Sequence, residues 1–96
     1  MNPSTAMHER SNRPEVRNPV AADPKVSALA QALADEHPAA AEALRGMLKA
    51  LCKKWRGQAE HSWAKHKAPL AAYHKANAVN ARHLALAIPK QVKTRP

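Results

Sequence analysis

The sequence predicts an all-α protein: a small bundle of three or four helices with a disordered N-terminal arm and a basic C-terminal tail. Three observations carry that expectation. Alanine, the best helix former and one that loses no side-chain entropy on ordering, supplies 22 of the 96 residues. Prolines stand where helices can begin, at Asp23-Pro24 and at Pro38. Apolar residues between them recur at helical spacing.

Residues 1–22 hold Pro3, Pro14 and Pro19 among Asn, Ser, Arg and Glu, without an apolar period. They read as the disordered arm. The helical domain is expected over 23–88. Asp23 caps its first helix, Pro24 takes the first helical position, and Val26, Leu29, Ala30 and Leu33 recur at i, i+3, i+4 and i+7. The restriction that Pro38 places on His37 ends that helix.

Pro38 opens a second helix with an apolar seam of Leu44, Met47, Leu48, Leu51, Cys52, Trp55 and Ala59. At about 100° per residue these positions fall on one arc, and Arg45, Lys49, Lys53 and Arg56 fall on the neighbouring sector. Gly57 marks an end or a bend, with continuation favoured by the helical composition of 58–67. Pro69 must interrupt whatever reaches it. A third helix is expected over 69–88, its face drawn by Leu70, Tyr73, Asn77, Ala81, Leu84 and Ile88, and Asn80 offers a cap for a separate fourth. Residues 89–96 carry Lys90, Lys93 and Arg95 without an apolar pattern and form the basic tail.

The core is thin, because Leu, Ile, Val and Phe together number only 14. Helices of this kind are expected to lean on a second copy or on a partner, so a homodimer or a partner-stabilised fold follows. Cys52 is the only cysteine, which excludes an intramolecular disulfide and suits a cytoplasmic location. The opening residues lack the charged-then-apolar pattern of a signal peptide, and no apolar run reaches membrane-spanning length.

Charge divides the chain. From residue 49 onward there are eleven Lys and Arg against the single acid Glu60, whereas the first 48 residues carry five against six. A one-sided field of this kind attracts polyanions. The leading functional reading is therefore a small nucleic-acid-binding protein, an accessory regulator or a mobile-element or nucleoid factor, with DNA and RNA both open. Its contacts are expected from Lys49, Lys53, Lys54, Arg56, Lys65, Lys67 and Arg82. Trp63, at the edge of the seam and flanked by cations, is the candidate for base stacking, while Trp55 and Tyr73 read as core. The alternative is a protein-binding adaptor or inhibitor of the phage or plasmid type, docking alanine-rich helices on a partner protein or a nucleic-acid-handling complex.

Other chemistry finds no support in the spacing. His61, His66, His74 and His83 are separated by five, eight and nine residues, not the three or four that places two ligands on one helical face, so no metal site is expected. Cys52 has no accompanying base or oxyanion glycine and reads as a seam filler. No cofactor and no enzymatic activity are expected. Residues 82–88 resemble the opening of a late helix in a core histone, but Pro69 and the two tryptophans depart from that family. No functional residue is carried over.

Overall fold

The computed structural model describes residues 13–90; 87% of these are helical and none lies in a strand. Five helical elements follow one another: α1 (Pro14–Arg17), α2 (Pro19–Ala22), α3 (Pro24–Glu36), α4 (Pro38–Ala64) and α5 (Ala68–Ala87). The all-α expectation holds. The count differs from three or four because the arm expected over 1–22 contains α1 and α2; residues 1–12 lie outside the described part, as do 91–96 of the expected tail.

Prolines explain this difference. Read as breakers in the arm, they serve instead within the first turn of every helix, where a missing N–H costs no intrahelical bond. Asn18-Pro19 repeats the logic of Asp23-Pro24. Asn18 Oδ1 accepts from the Val20 and Ala21 amides at 3.1 and 3.0 Å, and Asp23 Oδ1 accepts from Lys25 and Val26 at 3.0 and 3.1 Å. Asn18 also donates its Nδ2 to the His83 carbonyl on α5 at 3.1 Å. The short helices are thus tied to the far end of the chain.

The dominant unit is the α4–α5 antiparallel hairpin. Gly57 does not end α4, which runs 27 residues. It ends at a six-residue turn in which Lys67 N–H donates to the Ser62 carbonyl at 2.9 Å and His66 N–H to the Trp63 carbonyl at 3.0 Å. That is the Schellman pattern, with His66 at the left-handed position, φ 60°. Pro69 then falls in the first turn of α5. Asn77 and Asn80 do not interrupt α5.

Burial follows a heptad spacing of alternating threes and fours. On α4 one line of buried or half-buried residues follows it, Ala41, Arg45, Leu48, Cys52, Trp55, Ala59 and Ser62, with Leu44, Leu51 and Gln58 half-buried beside it; from α5 and its C-cap the matching line is Ala71, His74, Ala78, Ala81, Ala85 and Ile88, with Asn77, His83 and Ala87 half-buried beside it. Two antiparallel helices with this period pack along a continuous seam. One core cluster joins Ala34, Ala41 and Ile88 with Leu33, Leu44 and Leu48, and a second joins Cys52, Ala78 and Ala81 with Leu51 and Trp55. Cys52 fills the seam as expected, and Trp55 packs half-buried against the same cluster.

Several seam assignments are corrected. Met47 is exposed, and on α5 Leu70, Tyr73 and Leu84 face outward at 43%, 61% and 42% exposure. The buried face of α5 lies about 70° around the helix from the face drawn by its bulky residues. Alanines win the interface because a long helix pair gains more contact from close backbone approach along its whole length than from a few large side chains that hold the backbones apart.

Candidate polyanion-binding groove

Heptad packing leaves a valley on one flank of the hairpin, and the sequence places its cations there. Lys49, Lys53 and Arg56 recur on α4 at spacings of four and three, which keeps them on one side of the seam. Arg82 meets them from α5. Together with Arg45, Cys52, Ala85 and Leu86 they line a groove of about 470 Å³. Five cations thus converge on one concavity, and no carboxylate lines it among the described residues. Lys49, Lys53, Arg56 and Arg82 are exposed.

Arg45 departs from the solvent-facing stripe expected of it. It is buried, 8% exposed, because it occupies a heptad position. Its Nη1 donates to Glu42 Oε1 at 3.3 Å, and its Nε is buried without a hydrogen-bond partner. Burying a guanidinium whose donors are only partly satisfied costs free energy.

Arg56 takes a different local partner from the one its spacing suggests. Rather than pairing with Glu60 at i+4, its Nη2 donates to Cys52 Sγ at 3.7 Å. Arg56 is shared with a second groove, of about 610 Å³, which continues toward the turn and is lined by Ala59, Glu60, Trp63, Ala68, Ala71, Ala72, Lys75 and Ala78. Trp63 is 69% exposed at its edge.

The other expected contact residues lie elsewhere. Lys54 stands about 160° around α4 from Arg56 and lines a shallower pocket with Gly57, Gln58, His61, Ser62, Leu70 and His74. Lys65 and Lys67 flank His66 in the turn. The structure therefore gathers Lys49, Lys53, Arg56 and Arg82, sets Trp63 on the adjoining groove, and separates Lys54, Lys65 and Lys67 from them. Arg45 and Lys75 are lining residues absent from the set of contacts expected from sequence. Their signal was present: Arg45 precedes Lys49 by four, and Lys75 precedes Arg82 by seven.

The histidines are dispersed. His61 and His74 share the shallow pocket, His66 forms the turn, and His83 is half-buried with its carbonyl accepting from Asn18. Among the described residues no group of three His, Cys, Asp or Glu side chains stands together to hold a metal ion. No described helix is long and apolar enough to cross a membrane.

No family model matches the chain, and no curated protein or solved structure resembles it at a significant level. What the groove does is read from its own chemistry.

Proposed function

We propose that the protein binds nucleic acid, seating phosphates in the groove between α4 and α5. One observation carries this reading: Arg45, Lys49, Lys53, Arg56 and Arg82 line a single concavity with no acid among its described lining residues. Lys49 to Arg56 spans about 10 Å of helix, long enough for flexible side chains to reach more than one phosphate. Such contacts position a strand without reading its sequence. Lys65 and Lys67 at the turn extend the positive field that draws the polyanion in. A lone, buried thiol suits the reducing cytoplasm.

Gel shifts with generic DNA and RNA across a salt series test this. Affinity should fall steeply as salt rises, because phosphate neutralisation releases counterions. Absence of any shift at low salt removes the reading.

A second reading rests on different residues. Leu29, Met47 and Tyr73 are 64%, 55% and 61% exposed, bulky apolar side chains left outside a thin core. It favours a protein partner or a second copy, hence an adaptor or a homodimer. Copurification followed by nuclease treatment separates the readings: a protein retained at high salt after digestion supports the second.

A further inference from the structure

We infer that the ligand is single-stranded, with an unstacked base held against Trp63 in the turn-end groove while the flanking phosphates lie in the cationic groove. This rests on the nucleic-acid reading above and names the class of strand.

The two grooves share Arg56 and differ in chemistry. The first is ringed by cations. The second has a floor of alanines from both helices, with Lys75 and Glu60 at its margin. Glu60 repels a phosphate but accepts a hydrogen bond from a base's exocyclic amine. The turn-end groove therefore suits a flat, largely apolar, uncharged group. Its volume of about 610 Å³ falls in the range of small-ligand clefts, roughly 300–1,000 Å³.

Trp63 supplies the stacking face. Trp55 is committed to the cluster with Cys52, Ala78 and Ala81, whereas Trp63 is 69% exposed and lines two concavities at the turn. A large indole left in water at the edge of an apolar groove, seven residues or about 10 Å along α4 from Arg56, matches the alternation of cation and aromatic that single-strand binders use. A duplex cannot use this arrangement: its bases are stacked inside, and bringing one to Trp63 requires extruding it. The cations also line a valley between two helices.

The test compares a labelled 20-nucleotide single strand, as DNA and as RNA, with the corresponding DNA duplex by fluorescence anisotropy at one salt concentration. Wild type should prefer the strand. Trp63→Ala should weaken strand binding by about five- to a hundredfold, the range of base–aromatic stacking, leave duplex binding unchanged, and keep the wild-type melting temperature because Trp63 is mostly outside the core. Trp63→Phe should retain most of the affinity. In Trp55→Phe, where Trp63 is the sole indole, the strand should quench the fluorescence. Equal strand affinity in wild type and Trp63→Ala, with no quenching in Trp55→Phe, overturns the inference and leaves the phosphate reading standing. A duplex bound as tightly as the strand does the same. Failure of wild type to bind any of the three overturns both.

Discussion

Arg56 donates its Nη2 to the Cys52 sulfur one turn back on α4, at 3.7 Å, so the cation shared by both grooves is anchored to a thiol of the interhelical seam. Cys52 is 8% exposed and packs with Ala78 and Ala81. Cys52→Ala removes both the packing and the acceptor, and should cost about 1 kcal/mol. Cys52→Ser sets a shorter, polar side chain among apolar neighbours, with its oxygen out of hydrogen-bond reach of Arg56, and should cost at least as much. Thermal melts of the two variants check the order.

Alanine at the seam is a requirement of close packing. Ala78 of α5 is 4% exposed and clusters with Cys52 of α4. Ala78→Leu should destabilise by about 1–3 kcal/mol through overpacking, lowering the melting temperature by several degrees. The reciprocal change on the surface, Leu86→Ala, should stay within about 0.5 kcal/mol. Equal effects from the two would mean that α5 presents a different face to α4.

Gly57 lies in the interior of α4 with negative φ, and a Cβ added there meets nothing within 4 Å. Gly57→Ala should stabilise by about 0.5–1 kcal/mol, since alanine restricts the unfolded chain and favours the helix. Chemical denaturation reads the gain as a higher midpoint with an unchanged slope.

His66 occupies the left-handed position of the turn at φ 60°, where a side chain carries a steric penalty that glycine avoids. His66→Gly should stabilise by roughly 0.5–1 kcal/mol after the entropy of the more flexible unfolded chain is offset against it. Nucleic-acid affinity should be little affected. A loss of stability would show that the imidazole makes a compensating contact.

Much of the architecture was legible. Asp23-Pro24, His37-Pro38 and Pro69 marked helix starts through local chemistry that packing does not override. Asn18-Pro19 carried the same signal, yet the surrounding polar residues favoured an arm; the segment docks through the bond from Asn18 to the His83 carbonyl and the packing of Pro19–Ala22 against α5 and α3. The face of α5 was misjudged because hydrophobic periodicity weights Leu70, Tyr73 and Leu84 by bulk, while the hairpin selects small residues that let helices approach. Arg45 was misplaced for the same reason: the seam runs at a period of 3.5, and Arg45 sits on it between Ala41 and Leu48. The candidate groove was half legible. Spacing put Lys49, Lys53 and Arg56 on one side of α4, but the arrival of Arg82 from α5 and the departure of Lys54 to another flank depend on how the two helices pair.

The central claim is that position in the groove, rather than total charge, binds the nucleic acid. Its most direct test is the salt dependence of single-strand affinity for two variants that each lose three positive charges. One carries Lys53→Gln, Arg56→Gln and Arg82→Gln in the groove; the other carries Lys54→Gln, Lys65→Gln and Lys67→Gln outside it. The groove variant should lose roughly two to three from the slope of log affinity against log salt, with the second variant losing less than half as much. Equal losses in the two would contradict the groove and return the protein to a diffuse cationic surface.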